Sequence, residues 1–196
     1  MLKTKKKKII LTIDDGPRKN MESILEDLGY ENPCIFYLIG MNTENRFSRE
    51  LAKRAIKNGH ILGNHSYTHP KFSKISLKSA KREIEKTESI LKGIYEEVGF
   101  KKQNKLFRFP YGDENTEVKK YLKEEGYTLQ RWDFDSNDWR YYSKERPLRL
   151  DSIVSGCLKI KEKDIVLVHD LPITKTYLVP FIVHSNKYQP ILPESI

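Results

Sequence analysis

The chain has 196 residues, 38% hydrophobic and 32% charged, and a net charge of +9 at pH 7. That length suits a single domain, 1–196, with a substantial core, and no apolar run approaches the ~20 residues a membrane-spanning helix needs, so a transmembrane segment is not expected. The positive balance implies affinity for anions, but it arises from the lysines between Lys3 and Lys8 and from cations scattered over helical segments; without a helix-turn-helix, zinc-finger spacing or aromatic RNA-binding signature, nucleic acid is not expected as a partner.

Residues 1–8 form a basic N-terminal segment. It has the look of a secretory n-region, yet the apolar run behind it, Ile9 to Ile13, is cut short by two aspartates. As written, the chain is expected to lack a signal peptide and to be cytoplasmic, or extracellular or wall-associated if a leader has been trimmed. Ile9 to Ile13 predicts a strand, and Met21, Ile24, Leu25 and Leu28 then recur at helical spacing until Gly29. Cys34 to Ile39 predicts a second strand, Ser48 to Asn58 a helix, His60 to Gly63 a third strand, and Leu77 to Val98 a long helix. Strands follow at Leu106 to Phe109, Thr128 to Trp132 and Ile165 to Val168, with a helix around Glu117 to Glu125. This alternation predicts an α/β fold with a parallel sheet, open or closed into a barrel. Cys34 and Cys157 lie far apart in apolar patterns and are expected as buried free thiols.

Five polar segments fall at or just beyond predicted strand ends, where parallel sheets collect their active sites: Asp14-Asp15-Gly16-Pro17, His65 to Pro70, Arg108-Phe109-Pro110-Tyr111, Asp135 to Trp139, and Leu167-Val168-His169. His65 and His69 are four apart, which on a helical turn puts both imidazoles on one face, and Asp15 would complete a set of two nitrogens and one oxygen with coordination positions left open. Zinc held this way lowers the pKa of a coordinated water toward ~7. Of the two adjacent aspartates, one ligates and the other accepts a proton from water; spacing alone does not say which. Arg108 would hold and orient Asp14, and the Tyr111 backbone N–H would face a developing oxyanion. His169 is a candidate general acid, tuned by Asp135 or Asp138, and Trp139 a surface for a pyranose ring. His60, His184 and Trp132 lie outside every motif and read as structural.

All five segments, in this order, resemble the motifs of the polysaccharide deacetylases, carbohydrate esterase family 4, also called the NodB-homology domain. The likeness runs from about Ile9 to Leu192, with Ile13 where the family usually has Phe. The resemblance implies a distorted (β/α) barrel with fewer than eight regular strands. It implies Asp14 as base, Asp15, His65 and His69 as ligands of a divalent metal, most often Zn2+ with Co2+, Ni2+ or Mn2+ as substitutes, and Arg108 as tether of Asp14. It further implies His169 as acid, Asp135 or Asp138 as its partner, and Leu167 beside the acetyl methyl. The activity implied is N-deacetylation of amino sugars in a glycan or oligosaccharide, peptidoglycan or chitin-like; O-deacetylation, deformylation and a catalytically silent glycan-binding module remain open alternatives.

Overall fold

A computed structural model describes residues 5–193. The chain builds a curled, all-parallel sheet flanked by helices. Its elements, in chain order, are β1 (Lys7–Gly16), α1 (Met21–Leu28), β2 (Ile35–Leu38), α2 (Arg46–Lys57), β3 (Ile61–Asn64), α3 (Leu77–Glu97), β4 (Leu106–Phe107), α4 (Thr116–Glu124), β5 (Thr128–Leu129), β6 (Phe134–Asp135), α5 (Leu150–Gly156), β7 (Ile165–His169), α6 (Val179–His184) and β8 (Tyr188–Pro190). Seven strands run in the order β5-β4-β3-β2-β1-β7-β6, and β8 pairs with the start of β1. The result is a half-barrel of the distorted (β/α) type.

The two-residue period of β1 sorts its side chains. Ile9, Leu11 and Ile13 face outward into the main core beneath the helices, against Met21, Ile24 and Leu25 of α1 and Val166 and Val168 of β7. Thr12 and Asp14 alternate with them, buried, at 0% and 2% exposure. A smaller core of Ile35, Tyr37 and Leu106, with Ile10 and Ile61 packed against it, lies apart from the main one. Gly63 makes this packing possible, because a Cβ there would sit 2.5 Å from the Tyr37 ring.

Several expected boundaries shift. Of the basic segment 1–8, residues 1–4 lie outside the described residues, and Lys7 and Lys8 belong to β1. The strand expected to Phe109 ends at Phe107, and the one expected to Trp132 ends at Leu129. Beyond Leu129 the carbonyls of Gln130 and Arg131 accept from the Arg108 side chain, and beyond Phe107 the Arg108 carbonyl accepts from His65. The sequence reading missed β6, α5, α6 and β8; β6 has two residues, and Pro180 sits in the first turn of α6. Cys34 and Cys157 are free and buried, as expected. Among the described residues no helix is long and apolar enough to cross a membrane.

His60 is buried in this core, with its Nδ1 accepting from the Cys34 N–H at 3.3 Å and no partner for Nε2. Burial lowers its pKa from 6.5 to about 4. The unfolded chain therefore binds a proton that the folded chain refuses, and the neutral-His60 contribution to stability is complete above pH 6.5 and lost as pH falls toward 4. That difference is on the order of 3 kcal/mol. His60→Asn keeps an acceptor without the titration, so urea unfolding should show a shallower acid decline for the variant than for the wild type between pH 7 and 4. Parallel declines would refute this account.

Candidate metal centre and active site

Asp14 and Asp15 lie near the end of β1, just before Gly16, and the register beside β7 sets Asp14 next to His169. Asp14 Oδ1 accepts from Arg108 Nη1 at 2.8 Å, and both residues are buried, Arg108 at 1% exposure. The same Nη1 donates to Thr12 Oγ1 at 2.8 Å, Nε to the Gln130 carbonyl at 3.2 Å and Nη2 to the Arg131 carbonyl at 3.1 Å. The guanidinium carbon lies 4.3 Å from the Tyr37 ring centroid. A buried charge this well satisfied holds its partner in one orientation. The carboxylate's other oxygen, Oδ2, is thereby left 3.6 Å from His65 Nε2.

The His65–His69 segment is not the helical turn expected from its spacing. It is an irregular loop, with Ser66 and His69 in the left-handed region at φ 65° and 61°. Side chains hold it there: Ser66 N donates to Asn64 Oδ1, His69 N to Ser66 Oγ, and Tyr67 N and Thr68 N to the Glu83 carboxylate of α3. His65 Nδ1 donates to the Arg108 carbonyl at 2.8 Å, which turns the Nε2 lone pair inward.

Three ligand atoms then face one another. His65 Nε2 and His69 Nε2 are 3.3 Å apart, and Asp15 Oδ1 lies 3.6 Å from the first and 3.2 Å from the second. Among the described residues, this is the group of His, Cys, Asp and Glu side chains arranged to hold an ion. Asp15 Oδ1 is buried without a hydrogen-bond partner. Metal–ligand bonds of about 2.0–2.1 Å in tetrahedral geometry separate ligand atoms by roughly 3.3 Å, so the residues present fit a zinc-sized cation. Burial works against the Asp15 carboxylate, but the imidazoles of His69, His65 and His169 beside it outweigh that and hold its pKa well below the usual range.

Opposite stands His169. Its Nδ1 bonds Asp138 Oδ1 at 2.6 Å, and Asp138, fully buried, also accepts from His169 N at 2.7 Å and Thr174 Oγ1 at 2.5 Å. Burial disfavours an imidazolium, yet Asp138 outweighs it, with help from Asp14 and Asp15, and the pKa of His169 rises to about 9. Of the two candidate partners, Asp138 is therefore the one on the imidazole. Asp135 instead accepts from the Asn137 N–H at 2.7 Å, and burial raises its pKa.

A cleft of about 530 Å³ joins these groups, lined by Asp14, Asp15, His65, His69, Tyr111, Asp135, Trp139, Leu167 and His169. Asp138 lies behind His169 and Arg108 behind Asp14, outside the lining. Trp132, expected as a strand residue, follows β5 and lines the cleft; Phe109 of the third motif segment lines it too, as do Lys71 and Arg146, which were not singled out from sequence. Lys71 directly follows the second motif, a signal that was available. Arg146 lies in a charged stretch with no motif to mark it. His60 and His184 stand apart, the latter largely exposed beside Asp27.

The Polysaccharide deacetylase family profile matches residues 2–130. This chain belongs to that family. It is 33% identical over 142 residues, 71% of its length, to a peptidoglycan-N-acetylglucosamine deacetylase of Bacillus cereus, and spans 49% of that relative's own length. Its fold matches a family 4 carbohydrate esterase from Streptomyces lividans, solved with acetate, at TM-score 0.79 and 26% identity, covering 95% of this chain and 92% of that one. A family 4 pseudoenzyme from Bacillus anthracis matches at TM-score 0.75 and 26% identity, covering 95% of this chain and 64% of that one. Fold alone therefore does not separate active from silent members of the family; the side chains must.

Removing Arg108 leaves Asp14 buried without its counter-charge. Arg108→Met should cost about 3–5 kcal/mol in denaturant unfolding, and adding Asp14→Asn to it should recover much of that loss. Additive losses in the double variant would show that the pair is not coupled.

Proposed function

We propose that this chain is a divalent-metal-dependent deacetylase that hydrolyses the N-acetyl group of an amino sugar in a glycan, releasing acetate and a free amine. One observation carries the reading: a three-ligand face of Asp15, His65 and His69 shares one cleft with an Arg-tethered carboxylate and an Asp-bound imidazole. The names of the deacetylase relatives support the reaction class.

Asp15 Oδ1, His65 Nε2 and His69 Nε2 would hold the cation, which when bound supplies Lewis-acid polarisation of the acetamido carbonyl and lowers the pKa of water. Asp14, with Oδ1 taken by Arg108, offers Oδ2 to receive the proton of the attacking water. As the carbonyl becomes tetrahedral, the Tyr111 N–H donates to its oxygen; the left-handed backbone of Tyr111, φ 59°, sets the direction of that peptide. His169 enters protonated at neutral pH and gives its Nε2 proton to nitrogen as the C–N bond breaks, while Asp138 steadies the imidazolium. Leu167, apolar and 3% exposed, suits the acetyl methyl, and Trp139 and Trp132 present flat faces to sugar rings. Asp135 is assigned to a sugar hydroxyl rather than to His169.

Acetate release from chitooligosaccharides and peptidoglycan fragments should require the metal and stop with chelator. Asp15→Ala and His69→Ala should weaken metal retention by more than the about 10–100-fold typical of changing a residue that only supports a ligand, read by metal analysis after dialysis. Asp14→Asn should retain metal while kcat falls by about 10²–10⁴-fold. An active Asp14→Asn protein would contradict the assigned base, and a metal-replete wild type inert on every acetylated glycan would favour a silent binding module.

A further inference from the structure

Lys71 and Arg146 line the same cleft as the proposed metal ligands, and the mechanism gives neither of them a task. Of the 36 Lys and Arg residues in the chain, these two line it. Among the described residues neither makes an ion pair, whereas Arg18, Arg49, Lys53, Lys102, Arg108, Lys119 and others each have a carboxylate partner.

Their backbones are fixed to the site. Lys71 stands two residues after His69, and its Nζ lies 5.7 Å from the centroid of the Tyr111 ring, itself 4.5 Å from the His69 ring. Arg146 sits in a segment tied to the turn that carries Asp138 and Trp139: its carbonyl accepts from Arg140 Nε at 2.9 Å and its N–H donates to Ser143 Oγ at 3.0 Å. Of the other ionisable groups in the cleft, Asp135 accepts from the Asn137 N–H and is in no ion pair among the described residues, while the central ones have charged partners. Asp14 is paired with Arg108, Asp15 faces both imidazoles and the proposed cation, and His169 is paired with Asp138. Lys71, exposed and near the carboxylate of Asp113, and Arg146, also exposed, therefore stand at the cleft without a direct ion pair among the described residues, and a concave wall carrying two such cations attracts an anion more strongly than open surface does.

We propose that Lys71 and Arg146 recognise an anionic substituent on the sugar chain, so that this cleft prefers acetamido sugars carrying a carboxylate or phosphate over uncharged ones. The inference rests on the glycan deacetylase reading and names its substrate class. A plain N-acetylhexosamine polymer leaves both cations without a partner; a sugar bearing an anionic ether, acid or phosphate gives them one.

Both tryptophans of the chain, Trp132 and Trp139, line the cleft, so their fluorescence reports binding directly and independently of turnover. Four disaccharide probes serve: uncharged N-acetylglucosamine disaccharide, the same sugar with a lactyl carboxylate, its methyl ester, and a 6-phosphate. The wild type should bind the carboxylate probe, the phosphate probe, or both, about tenfold more tightly than the uncharged sugar, and the ester should behave as uncharged. The two charged arms tell which anion is the source. In the Lys71→Gln/Arg146→Gln variant the charged-to-uncharged affinity ratio should fall to about one, and kcat/KM ratios should follow. Equal binding of acid and ester, binding of none of the four, or a preference that survives the double substitution overturns the proposal. If the preference behaves as stated but no acetate is released from any probe, the deacetylase reading fails while the anion site stands. If acetate is released without the preference, the anion site fails while the deacetylase reading stands.

Discussion

The ion pair between Arg108 and Asp14 is the constraint on which the rest of the site depends. Two opposite charges are buried within the half-barrel, and burial of this kind costs several kcal/mol per ion unless every remaining donor and acceptor is met. The fold meets them. Arg108 directs four N–H···O bonds to Thr12, Asp14 and the carbonyls of Gln130 and Arg131, with the Tyr37 ring against its face. Those partners come from β1, from β2 and from the segment after β5, so one side chain links the middle of the sheet to its β5 edge. Its backbone carbonyl meanwhile fixes the tautomer of His65. The carboxylate and the first imidazole are thus oriented by the same residue, one through the guanidinium and one through the peptide.

Around that centre the backbone adopts conformations that ordinary residues avoid. Among the described residues six non-glycine residues have positive φ, and five of them, Asp15, Ser66, His69, Tyr111 and Asn137, lie in the motif segments. Such positions cost of order 1–3 kcal/mol each and persist where surrounding contacts over-determine them. Here those contacts are visible: Glu83 caps the loop after β3, and Asp135 accepts from the N–H of Asn137. The gain is directional. Asp14 and Asp15, adjacent in sequence, serve two different neighbours because the chain bends sharply between them, one toward Arg108 and the other toward the histidines.

Charge is distributed around the cleft in a similar way. The strong acids and bases at its centre are matched pair by pair, Asp14 with Arg108 and Asp138 with His169, and the protonated state of His169 follows from that pairing rather than from its exposure. Positive charge outside any ion pair stands among the lining residues, on Lys71 and Arg146. A centre matched in this way leaves selection among substrates to those lining residues, and the +9 excess of the whole chain says less about partners than the position of these two cations does.

The sequence by itself determined the strand and helix alternation, the parallel sheet and the segments that form the site. Period-2 and period-3.6 patterns are local, and Asp14, His65, Arg108, Asp135 and His169 each follow or end a predicted strand where a parallel sheet opens to ligand. The short elements β6 and β8 escaped because two or three residues carry no period, and the six-residue α6 because of its early proline. Tertiary structure decided the rest. Spacing suggested a helical turn for His65 and His69, whereas the local bonds of Asn64 and Ser66 and the more distant Glu83 of α3 hold them in an open loop. It also paired Asp138 rather than Asp135 with His169, brought Trp132 out of the expected strand to the cleft, and set Arg146 beside it. Which side chains meet depends on how strands curl and loops are pinned, and those are long-range contacts that local pattern does not encode.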